Sequence, residues 1–282
     1  MIFSDFGTKL CSQSGILQLM DDIGRPLPDG VKPYRLGGGN PAMINEISLM
    51  YRNEMQKIMA TENEFENLIG LYDSPQGRVS FLEHVAQFFT KTYGWKISAE
   101  NVAVTNGSQS ACFYLFNLLS GTFTSDGKKI KKRILFPLAP EYIGYADQGI
   151  EKDTFVSIPS TWEENGNEFK YHVNFPLLDE YLRKNVNIGA ICVTRPTNPT
   201  GNVLTDEEIK KLSSISKKHN IPLIIDNAYG LPWPNIIFTD HAQPYFDDNV
   251  ILSMSLSKIG LPSLRTGIII GPKEIITAIG NL

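Results

Sequence analysis

The feature that most limits the possible folds is a series of short, Val/Ile/Leu-rich runs at 102–104, 133–136, 154–158, 188–193, 222–225, 250–254 and 267–270. Segments with apolar residues at helical spacing separate many of them, at 108–119, 176–184 and 205–219. A strand that is apolar on both faces must be covered on both. Such strands spaced by helices argue for βαβ units and an α/β fold, with a mostly parallel central sheet and helices on both faces. Two further helical patterns, 44–59 and 78–93, precede the series, the second opening after Ser74-Pro75-Gln76-Gly77. The first 43 residues, with Pro26, Pro28, Pro33 and the run Gly37-Gly38-Gly39-Asn40-Pro41, read as an irregular arm. The division expected is thus an N-terminal arm at 1–43 and a large domain at 44–282. The basic run Lys128 to Arg133 reads as a solvated loop.

Composition excludes several function classes. Lys+Arg of 26 against Asp+Glu of 30 gives a net charge of −4, so the whole chain carries no basic footprint for nucleic acid. No apolar window is long enough for a membrane span, and the first residues lack a secretory signal pattern. Cys11, Cys112 and Cys192 give neither a disulfide framework nor a metal clip. His84, His172, His219 and His241 show no metal-ligand spacing. A cytoplasmic α/β enzyme is the expectation. At 282 residues the length prior of about 150 per domain suggests roughly two domains. Area scaling sets a folded surface near about 12,000 Å².

In a sheet of this kind, ligands sit at the carboxyl ends of the strands, and four of those ends carry unusual residues. Thr105-Asn106-Gly107-Ser108-Gln109 follows one strand and opens a helix, which suits an anion; an ordinary capped helix start has the same look. Arg195-Pro196-Thr197-Asn198-Pro199 makes a rigid turn that displays Asn198, ahead of a helix capped by Thr205 with Glu208 as its capping-box partner. Asp226-Asn227-Ala228-Tyr229 places a carboxylate at the end of an apolar strand, where it is costly unless a cation meets it or it caps the next element. Ser255, Ser257, Lys258 and Arg265 lie in a short span between two strands. There Lys258 is either a solvated loop lysine or a Schiff-base nucleophile, and Arg265 is suited to clamp a phosphate.

The four groups together describe one ligand, pyridoxal phosphate. With the strings LGGGNPA, YDSPQG, NGSQSA, FPLAPEYIGYAD, RPTNPTGN, IDNAYG and SLSKIGLPSLRTGI, the sequence resembles the fold-type I, pyridoxal-phosphate-dependent aminotransferases of class I/II over nearly its whole length. Within that family the strings look most like the valine–pyruvate (alanine–valine) branch. The resemblance implies amino-group transfer between valine or alanine and a 2-oxo acid such as pyruvate. The rivals are a β-eliminating lyase on the same fold and an inactive cofactor-binding fragment.

The resemblance also implies roles. Lys258 matches the lysine that links to the cofactor and Asp226 the carboxylate that keeps the pyridine nitrogen protonated. Asn198 and Tyr229 match the pair on the ring oxygen, and Tyr142 the aromatic on the ring face. Gly107, Ser108, Gln109, Ser255, Ser257 and Arg265 match the phosphate cup. Tyr72 matches a residue reaching the partner's cofactor, which implies a homodimer, and Gly39 matches a backbone donor near the substrate carboxylate. The family's substrate-binding arginine belongs to a C-terminal small domain. That domain is expected to be missing here, so that little turnover is anticipated. The helix begun at Pro272 is expected to lack a cap and to leave its apolar face uncovered.

Overall fold

The structure is a computed structural model that describes residues 2–12, 14–32, 34, 39–240 and 242–282. Pro33, Gly37 and Gly38 of the arm, and His241, lie outside the described residues.

A central sheet of eight strands organises the chain, with order β1-β10-β9-β8-β7-β3-β2 and β4 also paired to β3. The strands are β1 Val102–Thr105, β2 Gly121–Ser125, β3 Lys128–Phe136, β4 Phe155–Ser157, β7 Ile188–Thr194, β8 Leu223–Asp226, β9 Val250–Ser255 and β10 Gly267–Ile270. Strands β5 Thr161–Asn165 and β6 Glu168–His172 form a separate hairpin. The pairs β3–β4, β3–β7, β7–β8 and β8–β9 are parallel. Strand β10 runs against both β9 and β1, so β1 points the same way as the parallel set. The sheet is mostly parallel, as its apolar runs require.

Alternation along the strands divides the core into two layers. On one face Ile191, Val193, Leu223, Ile225, Leu252 and Met254 pack with α5 (Val79–Tyr93), α7 (Phe175–Lys184) and α8 (Asp206–Lys218). On the other, Ala190, Cys192, Ile224, Ile251 and Ile269 meet α6 (Ser108–Leu119) and α9 (Lys273–Gly280). Both faces are covered. Thr205 and Glu208 form the expected capping box on α8.

Several expectations are corrected. The arm is not wholly irregular: Ser4 and Ser14 cap helices α1 (Asp5–Leu10) and α2 (Gly15–Gly24), both complete before the first proline at Pro26. Helix α3 (Asn45–Ala60) is followed by a short α4 (Glu64–Gly70). The basic run is strand, not loop. Asp126 and Gly127 both have positive φ (51° and 74°) and make the two-residue turn of the β2–β3 hairpin. Lys128, Lys129 and Lys131 lie on its exposed part. Helix α9 is capped, with the Asn281 N–H bonded to the carbonyls of Ala278 and Ile279, and its Ile276 and Ile279 are buried against the α6 layer.

Candidate active site

Because β1, β3, β7, β8 and β9 point one way, their carboxyl ends share one edge of the sheet. The predicted site residues that follow them are gathered there by topology alone.

At the end of β1 the backbone turns through Gly107, whose φ of 89° favours glycine, directly into the N-terminus of α6. A side chain at this position would also strike Arg265, since an ideal Cβ would lie 2.5 Å from the guanidinium Nη2. Arg265 therefore rests over the first turn of α6, adding a cation to its outward N–H groups. Ser255 is buried at the end of β9, and its hydroxyl accepts from the Ser257 N–H at 3.1 Å. Gln109 donates to the Gly144 carbonyl at 2.9 Å, which ties α6 to the segment carrying Tyr142. Tyr142 lies flat enough on that segment that a Cβ at Gly144 would meet its ring at 2.4 Å.

Lys258 sits in a single 3₁₀ turn after β9. Its Nζ donates to the Gly39 carbonyl at 2.8 Å and lies 5.3 Å from the centre of the Tyr229 ring. A Cβ on Gly39 would come within 2.6 Å of that nitrogen, so the arm approaches as closely as a bare backbone allows. The Tyr51 hydroxyl, from α3, donates to the Ile259 carbonyl at 2.9 Å beside it. Sequence reasoning did not single out Tyr51.

Asp226 ends β8 and is buried. One carboxylate oxygen accepts from the Tyr145 hydroxyl at 2.7 Å and the other from the Ala228 N–H at 3.0 Å. Burial raises its pKa, and these two hydrogen bonds oppose the rise. Tyr145 also contacts the Thr194 hydroxyl at 2.9 Å. Thr194 in turn meets Glu141 twice, hydroxyl to carboxyl oxygen at 2.5 Å and N–H to the other oxygen at 3.1 Å. Tyr145, Thr194 and Glu141 were missed. The signal that marked Asp226, an acid just past an apolar strand, was equally present at Glu141 beyond β3.

Asn198 lies in the turn after β7, partly buried. That turn is held by Arg195, whose guanidinium donates to the carbonyls of Leu204 and Gln243 and to Asp206 at 2.6–2.7 Å. Tyr72 is not brought to the site. It is fully exposed and lines a surface cavity of about 420 Å³ together with Asn67, Leu71, Asp73 and Arg78.

Chemically, the edge combines an anion seat, an amine, a buried carboxylate and aromatic walls. Among the described residues no helix is long and apolar enough to cross a membrane.

Residues 44–282 match the family model for aminotransferase class I and II. The whole chain aligns at 48% identity with the valine–pyruvate aminotransferase of Escherichia coli K12, covering 66% of that protein. A crystal structure of the valine–pyruvate aminotransferase from Salmonella typhimurium LT2 superposes with a TM-score of 0.78 and 47% identity, over 95% of this chain and 63% of that one. A solved chain from Psychrobacter arcticum 273-4 gives a TM-score of 0.90 at 45% identity, over all of this chain and 67% of its own. The chain thus spans about two thirds of the length of these relatives.

Proposed function

This chain belongs to the aminotransferase class I and II family, and we propose that its site binds pyridoxal phosphate and transfers an amino group between valine or alanine and a 2-oxo acid such as pyruvate. The observation that carries the substrate reading is the 48% identity, along the full chain, to the E. coli valine–pyruvate enzyme. Gathering of the strand-end groups at one edge supports the cofactor reading. When bound, pyridoxal phosphate supplies an electron sink for the pair left as an amino acid's Cα–H bond breaks.

The residues fit that group. Gly107, Ser108 and Gln109 at the α6 N-terminus, with Ser255, Ser257 and Arg265, would hold the phosphate, and Arg265 already rests on Gly107. Asp226 is a buried carboxylate that accepts from two neutral donors, the Tyr145 hydroxyl and the Ala228 N–H, a setting that favours a cation opposite it. It would keep the ring nitrogen protonated. Asn198 and Tyr229 would bind the ring oxygen, and Tyr142 would cover one ring face and exclude water from it. Lys258, held by Gly39 until it is engaged, would take the proton from Cα and return it as base and then acid. The Gly39 N–H would meet the substrate carboxylate while its carbonyl serves Lys258.

Residues 1–43 would act as an arm over this edge and 44–282 as the cofactor domain. Tyr72, fully exposed on its own chain, would serve the site of a second copy in a homodimer. The setting proposed is cytoplasmic amino-acid biosynthesis. A β-eliminating lyase would use the same cofactor residues. The test is to mix the chain with pyridoxal phosphate and follow absorbance near the visible edge. A band that borohydride abolishes, fixing the cofactor on Lys258, supports the reading. Its discharge by valine and restoration by pyruvate separates transfer from elimination.

A further inference from the structure

Two carboxyl groups and two hydroxyls form an unbroken line across the carboxyl edge of the sheet: Glu141, Thr194, Tyr145 and Asp226. Their oxygens are separated by 2.5 Å, 2.9 Å and 2.7 Å in that order. Each of the three contacts is a hydrogen bond only if a proton lies within it. The two hydroxyls supply one proton each. With both carboxyls ionised, one contact would set two oxygen lone pairs face to face at hydrogen-bond distance. The line closes only if one carboxyl is a neutral acid.

The direction follows from acidity. A phenol is a stronger proton donor than an aliphatic hydroxyl and belongs with the anionic acceptor, which makes Tyr145 the donor to Asp226. The Tyr145 oxygen must then accept from Thr194, and the Thr194 oxygen from Glu141. We propose that Glu141 is held as a neutral carboxylic acid that donates to Thr194, and that it is thereby the positioning residue that points the Tyr145 proton at Asp226 and keeps Asp226 anionic. The other Glu141 oxygen remains an acceptor for the Thr194 N–H at 3.1 Å, as a neutral acid allows.

Burial supports this by raising the Glu141 pKa to about 8, with the Asp226 charge adding to the rise and the contacts with Thr194 and the Tyr142 backbone opposing it. The titratable groups that face this line are Asp226 on β8, Cys192 on β7, Cys112 on α6, Tyr142 and Tyr145 on its own segment, and Tyr229 beyond β8. An added proton is the only neutralising charge that set offers. The use made of the Asp226 charge rests on the cofactor reading above, whereas the location of the proton does not.

Infrared spectroscopy of the full chain without cofactor tests the assignment. The wild-type-minus-Glu141→Gln difference at pH 7 should show the C=O stretch of a protonated carboxyl. That band should persist in Asp226→Asn and fade in the wild type as pH rises through about 8. A glutamine amide would supply the same donor and acceptor, so Glu141→Gln should keep the unfolding midpoint that Glu141→Leu loses. Absence of the band, or its loss in Asp226→Asn alone, overturns the proposal, as does an equal fall in midpoint for the two Glu141 variants. A chain that shows the band yet takes up no pyridoxal phosphate upholds the proton on Glu141 and sinks the functional reading instead.

Discussion

The sheet region and the helices before it differ in how they treat apolar side chains. Strands β7, β8, β9 and β10 are buried at every residue. Helix α3 is 16 residues long and buries none, and neither does α4. Met43, Ile44, Leu49, Met50, Met59, Ile69 and Leu71 are all exposed. The accessible surface of 17,214 Å² accordingly exceeds the roughly 12,000 Å² expected of a compact chain this size. The sheet region closes its own core. The N-terminal region presents apolar surface that the described chain does not cover, and it reaches the site through Tyr51 on Ile259 and Gly39 on Lys258. Among the described residues its contribution is to the site, not to the core.

The largest effect that could break this division is at Lys258. Lys258→Ala should abolish covalent cofactor attachment, and any proton transfer at Cα should fall by about 10³-fold or more. The unfolding midpoint should stay within a few degrees, because the side chain is only partly buried on a turn outside the core layers. Borohydride reduction and peptide mapping read the first, calorimetry the second. Cofactor still fixed in the variant would remove the site from this edge.

A leucine in the middle of each region sharpens the contrast. Leu212 on α8 is fully buried, and Leu212→Ala should cost about 3 kcal/mol. Leu49 on α3 is 56% exposed, and Leu49→Ala should stay within about 0.5 kcal/mol while weakening self-association. Denaturant unfolding and sedimentation check the pair. Similar losses at both sites would mean that the helices belong to the core after all.

The sheet region should also respond to pH. Glu141 has a folded pKa of about 8 against an ordinary 4.5, so the folded state binds the extra proton between those values. The stabilisation is present below about 4.5 and is lost as pH rises toward about 8, with a slope of at most about 1.4 kcal/mol per unit. Asp226, also raised by burial, acts in the same direction. Unfolding free energy measured from pH 5 to 8 should therefore fall, and Glu141→Gln should flatten the curve.

The same contrast explains what could be read in advance. The strands at 188–193, 222–225, 250–254 and 267–270 were legible because burial on both faces leaves a continuous apolar run. Lys258, Asp226 and Arg265 were legible because each sits beside such a run, where a charge is conspicuous. The β2–β3 hairpin was hidden by the lysines of its exposed strand, although Asp126-Gly127 is a hairpin turn pair. Helices α1 and α2 were obscured by the prolines that follow them. Tyr145 and Thr194 escaped because nothing local marks a hydroxyl whose partners lie 49 and 81 residues away.

The smallest effect gives the finest test of the boundary, since it compares one chemistry in two places. Thr205 caps α8 through the Glu208 N–H at 3.2 Å, with Glu208 returning to the Thr205 N–H at 2.9 Å. Ser14 caps α2 through the Leu17 N–H at 3.4 Å. Each cap satisfies a backbone donor that the helix leaves free, and removal of such a cap costs about 1 kcal/mol of helix stability. Global stability registers that cost only if the helix unfolds with the rest of the molecule. Helix α8 buries Ile209 and Leu212 in the core, so Thr205→Ala should lower the unfolding free energy by about 1 kcal/mol. None of the described side chains of helix α2 belongs to either core layer, so Ser14→Ala should leave the main transition unmoved and speed amide exchange within 15–24 alone. A fall in global stability for Ser14→Ala equal to that for Thr205→Ala would place α2 inside the cooperative unit and move the boundary to the start of the arm.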